Sequence, residues 1–445
     1  MISVKNALAT VIEALSWMSY AGLGERTALF KAAEQIGVED RNDLRHAHRL
    51  IMEINRFQNR LEYFLADLLI INSAEELPHG ITSFLKILAY LKWIDGAEEK
   101  ELKRAVFAAR QILGWKELQP FESIISRIVS SSLSASQQQI EDEWQRTALF
   151  TCTPEWLVKR LTIGFDRNFA LRMLQRNLAG MPAYVRLNAL KLTNSSDTTD
   201  QLDRIGSRIR KEDIWKLNSS HELNQLSQRV VTGEIVVQDL ASIVTSLIAS
   251  PKPGDLVLDI CAAPGNKTTH LAALMKNRGI IYSIDISVKR FVHWQKEMKR
   301  AGNEIAIPIL ADAANLPLRV KADVVLVDPP CSNTGVFARN PNLKWRISEA
   351  KMKLLVKRQR AILNAGSDHV RSNGSLVYCT CSLLPEENEF IIEEFLERNP
   401  EFELEAQSPC LGEPGLRGLT KCQRFYPHLH QCNGYFIAKL LRTSA

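Results

Sequence analysis

Two cysteines stand just after short apolar stretches, at positions where the end of a β-strand can present a side chain to a ligand. Cys331 follows the apolar run 324–327, and Cys381 follows the run 375–377. A lone cysteine most often packs as a small apolar residue. Two cysteines at the ends of successive strands instead favour covalent catalysis, in which a thiolate bonds transiently to an electrophilic carbon.

A tight turn of small residues precedes both cysteines in the chain. The apolar strand 257–260 runs into this turn, and a helix follows it from Thr268. Such a turn lets backbone amides approach a ligand closely, and Gly265 can adopt backbone angles that bulkier residues avoid. The turn lacks the GxGxxG fingerprint, which favours a nucleoside cofactor smaller than a dinucleotide. The turn residues are Cys261, Ala262, Ala263, Pro264, Gly265, Asn266 and Lys267.

Carboxylates stand at or just after the ends of successive predicted strands. Open α/β sheets bind ligands at the carboxyl ends of their strands, and Asp285 is well placed there for ribose hydroxyls. A single aspartate in such a place is more often a helix cap. Several in order favour a cofactor site. They are Asp259, Asp285, Asp312 and Asp328.

The pattern of apolar residues changes twice along the chain. Up to about residue 140 apolar residues recur every three or four positions, which predicts an all-α bundle that ends near the polar stretch 130–139. Helical patterns at 156–163 and 169–177 around an apparent strand at 183–187 then predict a small α+β module. From Pro251 onward, apolar runs alternate with amphipathic stretches, as in a parallel sheet with crossover helices. We therefore predict domains at 1–145, 146–235 and 236–445.

Composition narrows the function classes. A chain of 445 residues with 45% hydrophobic residues is too long for one ordinary core. Its net charge of +6 is a modest basic excess, compatible with a polyanionic partner. We expect no membrane span and no secretory signal, and hence a cytoplasmic protein. The eight cysteines are expected to be reduced. A zinc site of Cys379, Cys381, Cys422 and Cys432 lacks the paired CxxC spacing, so we expect no metal.

At these residues the chain resembles the RNA cytosine-5 methyltransferases of the Sun/Fmu family. It is most similar to the ribosomal RNA methyltransferase B type, because its first 140 or so residues are similar to the helical domain of the antitermination factor NusB. The segments TPEWLVKRL and YVRLNALKLT resemble the small RNA-binding subdomain of the family. The segments that match the catalytic domain of the family are DICAAPGNKTTH, DPPCSNTG, YCTCSLLPEENE, VVQDLAS and RFYPHLHQCNGYFIAKL.

The resemblance implies a Rossmann-like catalytic domain that binds S-adenosylmethionine through the turn 261–267 and through Asp285, Asp312 and Asp328. It implies that Cys381 is the nucleophile and that Cys331 assists release of the methylated product. This fits the chemistry of cytosine, whose carbon 5 takes a methyl group only after a thiolate has added to carbon 6. Asp328 could also hold a proton against ring nitrogen 3, with Arg290 and Lys267 as secondary pocket residues.

Three positions depart from the family pattern. Asn333 stands where glycine is usual, and asparagine tolerates left-handed backbone angles better than most residues. Asn266 replaces a frequent glycine in the cofactor turn. Cys379 adds a third thiol near the expected nucleophile, which complicates labelling experiments.

Other functions stay open at this point. In a DNA cytosine-5 methyltransferase Cys331 would be the nucleophile, but no large second DNA-reading domain follows the motif. The chain could instead be a non-catalytic RNA-binding assembly factor, or its substrate could be transfer RNA rather than small-subunit ribosomal RNA. Single-stranded RNA exposes bases that can enter a pocket, and basic side chains can engage its phosphates. The candidates are Lys159, Arg160, Arg172 and Arg176, on a chain expected to be a monomer.

Overall fold

The computed structural model describes residues 4–69, 77–131, 140–192, 195–209 and 213–443. The chain forms two compact units, one of residues 1–163 with 340–346 and one of 164–339 with 347–445. Residues 164–235 of the predicted α+β module thus belong to the same compact unit as the large sheet, whereas residues 146–163 belong to the helical unit. Division into three independently folding domains at 145 and 235 stays a prediction. Most of the polar stretch 130–139 lies outside the described residues.

The first unit is helical, as the spacing of its apolar residues predicts. Leu8, Val11, Ile12 and Leu15 are at most 7% exposed and pack in one core with residues from the later helices. The breakers end or begin helices: Gly37 takes a left-handed conformation after the second helix, and the fifth begins at His79. The α-helices are Val4–Ala21, Glu25–Ile36, Arg41–Arg56, Gln58–Leu69, His79–Tyr90, Glu99–Leu113, Trp115–Leu118, Glu122–Ser130, Glu143–Phe150 and Glu155–Gly164, with a π-helix at Leu91–Asp95 and a 3-10 turn at Gln119–Phe121.

A short helix from much later in the chain, Leu343–Arg346, also belongs to this unit. The ammonium of Lys344 is buried and donates to the carbonyl oxygens of Arg56 at 2.9 Å and Cys152 at 2.7 Å. The indole of Trp345 donates to the carbonyl of Asn55 at 2.7 Å. Segment 340–346 is therefore held by backbone carbonyls of the helical unit.

The second unit begins with the helix Arg167–Arg176 and a small antiparallel sheet. Its strands are β1 (Ala183–Leu187), β2 (Ser207–Arg208), β3 (Ile214–Leu217) and β4 (Ile235–Val237), in the order β2-β3-β1-β4. The guanidinium of Arg186 is buried and donates to Gln238 at 2.9 Å and to Thr269 at 3.0 Å, which ties β1 to the helix after the cofactor turn. The helices around this sheet are Ser195–Ile205, Ser220–Gln225 and Ser227–Thr232.

The large sheet of this unit has nine strands. Its parallel part runs β9-β8-β5-β6-β7, and β13, β12 and β11 continue it in antiparallel fashion, with β10 beside β13. The strands are β5 (Leu256–Ile260), β6 (Ile280–Asp285), β7 (Ala306–Leu310), β8 (Ala322–Val327), β9 (Val370–Thr380), β10 (Phe402–Leu404), β11 (Glu413–Pro414), β12 (Gln423–Phe425) and β13 (Tyr435–Arg442). The helices are Leu240–Ala249, Asn266–Leu274, Val288–Ala301, Glu349–Ser367, Glu389–Arg398 and Pro427–His430, with a 3-10 turn at Pro385–Glu387.

The order of the parallel strands fixes where a ligand can bind. The chain goes from β5 outward through β6 and β7, then crosses to β8 on the other side of β5. Connections after β5 and β8 therefore diverge, and open sheets bind ligands in such a crevice. The turn 261–267 follows β5, and Asp328 follows β8. No helix among the described residues is long and apolar enough to span a membrane.

Candidate active site

A cavity of about 410 Å³ opens at the carboxyl ends of these strands. It brings together residues predicted for two different tasks. Cys261, Asp285, Arg290 and Asp328, from the predicted cofactor set, line the same cavity as Cys331 and Cys381. The other lining residues are Ile286, Ala313, Pro329, Pro330, Asn333, Arg358 and Ile362.

The two cysteine sulfurs lie 3.2 Å apart at one wall of this cavity and share a hydrogen bond. Cys331 is buried, whereas Cys381 is only partly buried. The hydrogen bond to Cys381, together with burial, raises the pKa of the Cys331 thiol well above its usual range. Cys381 is thus the more accessible of the two sulfurs.

Asn333 contacts both cysteines. Its φ of +59° lies in the left-handed region, which agrees with the expected tolerance of asparagine for such angles. Its side-chain amide donates to the carbonyl of Cys331 at 2.9 Å, and its Oδ1 accepts from the thiol of Cys381 at 3.1 Å. The residue that replaces the usual glycine therefore fills the space beside the sulfurs instead of leaving it open.

The loops that carry the site cross backbone against backbone. The amide of Gly335 donates to the carbonyl of Cys381 at 2.9 Å, and the amide of Gly434 donates to the carbonyl of Gly335 at 2.8 Å. A Cβ on Gly335 would meet the oxygen of Gly434 at 2.0 Å. Only glycine fits this crossing, which explains the glycine that ends DPPCSNTG and the glycine before Tyr435.

The cofactor turn is held by packing behind it. Gly265 has a φ of +111°, and a Cβ there would meet Cε of Met298 at 2.6 Å and a ring carbon of Trp294 at 3.0 Å. Asp285 accepts from the amide of Ala263 at 3.2 Å and pairs with Arg290 at 2.9 Å, and Arg290 also donates to the carbonyl of Ala263. Glycine is favoured here by its φ of +111° and by the indole of Trp294, whereas Met298 presents only the end of a flexible side chain.

The acceptors and apolar surfaces of the cavity fit a nucleoside cofactor. Asp285 presents a buried carboxylate at the end of β6, where ribose hydroxyls can donate to it. Ile286, Ala313 and Ile362 supply apolar surface for a purine ring. Ala262, Ala263, Pro264, Gly265, Asn266 and Lys267 are not lining residues, so the turn shapes the cavity from behind apart from Cys261.

Asp328 is bound to the cofactor turn and to the third thiol. Nζ of Lys267 lies 2.6 Å from its Oδ2, and Sγ of Cys379 lies 3.5 Å from its Oδ1. Burial by itself would lower the pKa of Lys267, but Asp328 outweighs it and raises that pKa above its usual range. Burial, with Asp328 next, raises the pKa of Cys379 well above its usual range. Cys379 is therefore a buried partner of Asp328 and does not line the cavity.

Asp312 is not a lining residue, but it pairs with one. The guanidinium of Arg358 lines the cavity and donates to Oδ1 of Asp312. A hydrogen bond from the amide of Ala314, together with Arg358, lowers the pKa of Asp312. The sequence reasoning missed Arg358, which lies in the middle of a long helix rich in lysine and arginine and carries no local signal of a site.

The four basic residues predicted to contact RNA phosphates differ in exposure and in their hydrogen-bond partners. Arg172 is exposed on the helix Arg167–Arg176. Arg176 is half-buried and donates to the carbonyl of Gly180 at 2.9 Å, and Lys159 pairs with Glu155. Arg160 is half-buried. Arg172 is the clearest phosphate candidate of this group.

Within the described ranges no three histidine, cysteine or acidic side chains are arranged to hold a metal. The cysteines considered for zinc have other neighbours. The hydroxyl of Tyr435 donates to Cys379 at 3.4 Å, and Cys422 and Cys432 are buried, Cys432 within an apolar cluster.

Known proteins resemble both the catalytic part and the whole chain. A family model described as 16S rRNA methyltransferase RsmB/F matches residues 246–441. The tRNA (cytosine(72)-C(5))-methyltransferase of Pyrococcus horikoshii is 39% identical over 230 residues, 52% of this chain and 57% of that enzyme. A probable ribosomal RNA small subunit methyltransferase B of Bacillus subtilis is 27% identical over 400 residues, 85% of this chain and 86% of that protein. This chain thus spans little more than half the length of the archaeal relative.

Solved structures agree with these relatives. The crystal structure of PH0851 superposes with a TM-score of 0.84 at 27% identity and covers 99% of both chains. The structure of NSun6 from Pyrococcus horikoshii with SFG covers 66% of this chain and 99% of its own, with a TM-score of 0.58 at 25% identity.

The ribosomal RNA small subunit methyltransferase B of Escherichia coli is 30% identical over 316 residues, 69% of this chain and 70% of that protein. By this match and that of the family model, the chain belongs to the RsmB/F family of RNA cytosine-5 methyltransferases.

Proposed function

We propose that this enzyme methylates carbon 5 of a cytosine in small-subunit ribosomal RNA and that Cys381 forms the covalent bond to the base. The observation that carries this proposal is the shared cavity, in which the sulfurs of Cys331 and Cys381 lie beside the residues expected to bind the cofactor. A base that enters it meets a thiol and a methyl donor together, which is the arrangement that this reaction needs.

S-adenosylmethionine is the cofactor, and when bound it supplies an electrophilic methyl group; the related structure with SFG, an analogue of this cofactor, supports the assignment. We assign its binding to Cys261, Asp285, Arg290 and Asp328, which line the cavity, and to Asp312 through its neighbourhood with Arg358. The remaining turn residues, 262–267, hold the cavity wall in place.

The protein residues carry the other steps. The thiol of Cys381 gives up its proton to solvent, and the thiolate sulfur bonds to ring carbon 6. This moves an electron pair to carbon 5, where the methyl group is accepted. A base then removes the proton from carbon 5, and the bond between carbon 6 and the sulfur breaks, which returns the thiolate. Cys331 is the candidate base, since its sulfur is 3.2 Å from that of Cys381. It acts as a thiolate, so its own proton must first leave to solvent, and its raised pKa then makes that thiolate a strong proton acceptor. Asp328, paired with Lys267, is the candidate to hold a proton against ring nitrogen 3.

Coverage of the relatives favours ribosomal RNA over transfer RNA. The match to the small-subunit enzyme of Bacillus subtilis extends over 85% of the chain and so includes helical residues, whereas the match to the archaeal tRNA enzyme covers 52%. We further propose that the helical unit is a NusB-like domain and that it, with Arg172 and its neighbours, contributes contacts to RNA phosphates.

The test uses the purified chain, labelled S-adenosylmethionine and three substrates: unmodified small-subunit ribosomal RNA, the assembled small subunit and unmodified transfer RNA. We expect incorporation into ribosomal RNA at a single cytosine, located by bisulfite sequencing. Methylation of transfer RNA alone would make the enzyme a tRNA methyltransferase. RNA binding without methylation of any substrate would favour the non-catalytic assembly factor.

A further inference from the structure

The motif YCTCSLLPEENE contains a carboxylate that the reaction above does not use. Glu387 follows the nucleophile by only a few residues, yet its side chain is 0% exposed. Charged side chains in such places are almost always exposed, and a buried carboxylate is costly unless donors surround it. Burial of Glu387 therefore calls for an explanation.

Four donors converge on this carboxylate. Oε1 accepts from the backbone amide of Ser332 at 2.8 Å and from the side-chain amide of Gln359 at 2.9 Å. Oε2 accepts from the hydroxyls of Ser332 and Ser382. These bonds supply the donors that an acceptor-only group needs. Glu387 is therefore a fixed centre of the motif.

The donors come from both cysteine loops. Ser332 directly follows Cys331, and Ser382 directly follows Cys381. Gln359 extends the connection, because it also donates to the carbonyl of Pro330, the residue before Cys331, at 2.9 Å. The Glu387 carboxylate thus binds the residue that follows each cysteine, Ser332 and Ser382. Through Gln359 it is also connected to Pro330, the residue before Cys331.

We propose that Glu387 is a positioning residue that keeps the sulfurs of Cys331 and Cys381 within contact distance. It touches neither sulfur, so it acts through the two serines. The distance matters because one sulfur must bond to the base while the other acts at the same ring, and small misplacements of reacting groups are costly. This inference rests on the proposed function for its catalytic consequence, but its geometric content stands apart from any substrate.

The geometric content is tested with phenylarsine oxide, which bridges two neighbouring thiols. The wild type, Glu387→Gln, Ser382→Ala and Glu389→Gln are treated with the reagent, and protection of Cys331 and Cys381 from alkylation is read by mass spectrometry. Glu389 is the matched control, because it is equally buried in the same motif but pairs with Arg424. Melting temperatures of all variants are recorded in parallel.

We expect joint protection in the wild type and in Glu389→Gln, and at least a tenfold loss of it in Glu387→Gln. Ser382→Ala, which removes one of the four bonds, should lose part of it, so that a poorly folding Glu387→Gln does not leave the proposal undecided. Bridging that persists in both Glu387→Gln and Ser382→Ala overturns the proposal, as does a loss that follows melting temperature across all variants, Glu389→Gln included.

The catalytic consequence is measured with the same proteins. Methyl transfer should fall at least a hundredfold in Glu387→Gln while the Kd for S-adenosylmethionine stays within threefold of the wild type. If the wild type methylates no RNA but still shows bridging that depends on Glu387, the proposed function fails and the positioning role stands. If the variant loses bridging but methylates like the wild type, the positioning role has no catalytic meaning and the proposal fails.

Discussion

Nζ of Lys267 lies 2.6 Å from Oδ2 of Asp328, so the cofactor turn after β5 and the DPPC loop after β8 are joined by a largely buried ion pair. Each residue comes from a different predicted motif. The pair fixes the position of the Asp328 carboxylate, which lines the cavity.

Removal of either partner should lower the rate of methyl transfer. For Asp328→Asn we expect kcat to fall by about 10² to 10⁴, the range of general acid–base catalysis. For Lys267→Met we expect a similar loss and a lower free energy of unfolding, because a partly buried carboxylate is left without its cation. Single-turnover methylation and urea unfolding measure the two effects. Unchanged kcat in Asp328→Asn would remove this aspartate from the mechanism.

The two cysteines should give opposite results in covalent trapping on RNA that contains 5-fluorocytosine. Cys381→Ala should form no adduct and lose methyl transfer by more than about a thousandfold, as expected for a covalent nucleophile. Cys331→Ala should still form the adduct, and on RNA with unmodified cytosine it should release the methylated product slowly. Loss of the adduct in Cys331→Ala but not in Cys381→Ala would reverse the assignment and match the mechanism of a DNA cytosine-5 methyltransferase.

Gly265→Ala should destabilise the protein by about 2 to 4 kcal/mol through strain and overpacking. A matched control is Gly254→Ala, because Gly254 has a similar φ of +104° but no described atom lies within 4 Å of the place that its Cβ would take. The difference between the two variants isolates the contact with Met298 and Trp294. Urea unfolding and the Kd for S-adenosylmethionine are the measurements. Equal effects of the two substitutions would mean that backbone strain alone matters at the turn.

Stability should depend on pH through Lys344. Burial lowers the pKa of its ammonium to about 7, whereas the pKa of lysine in an unfolded chain is about 10.4. Between these values the unfolded chain binds more protons than the folded one, so the free energy of unfolding rises with pH. We expect a gain of about 1 kcal/mol per pH unit between about pH 7.5 and 9.5 in the wild type relative to Lys344→Met. Lys357→Met, at an exposed position, is the control, and a parallel pH profile for Lys344→Met would contradict the expectation.

Reversal of charge at Arg172 and Arg176 together should weaken RNA binding and reduce its dependence on salt. Each lost phosphate contact lowers the slope of log K against log salt by about 0.7 for a single strand. Because Arg176 also bonds to Gly180, Arg172→Glu alone is the cleaner variant. Arg319→Glu makes the same change in net charge at another exposed position of the same unit. Unchanged slopes for Arg172→Glu would remove it from the interface.

Local sequence patterns predicted the helices and strands, but they did not predict which side chains meet in the active site. The run 183–187 forms a strand with those bounds, because an apolar run between turn residues is a local signal. The turn follows β5 and the cysteines follow β8 and β9, as expected, but the helix after the turn begins at Asn266 and not at Thr268. Neither the 3.2 Å approach of the sulfurs nor the pairing of Asp312 with Arg358 has a local signal, because both depend on which strands become neighbours.

Glu387 and Asn333 show the same limit for single residues. The acidic segment PEENE is typical of the exposed first turn of a helix, so the sequence predicts that Glu387 is exposed. Its four hydrogen-bond donors come together only in the folded chain. The backbone tolerance of Asn333 could be predicted from its type, since it depends on the residue alone. Its hydrogen bond from the thiol of Cys381 could not, since that cysteine lies 48 residues further along the chain.

Because residues 340–346 belong to the helical unit, the polypeptide enters that unit twice. Evolution or an engineer could not exchange the helical part by recombination at a single junction. A fragment that starts after residue 163 would carry Lys344 and Trp345 with the carbonyls of Asn55, Arg56 and Cys152 missing. Grafting another RNA-targeting module onto this catalytic core would therefore mean redesigning segment 340–346 as well as the amino-terminal segment.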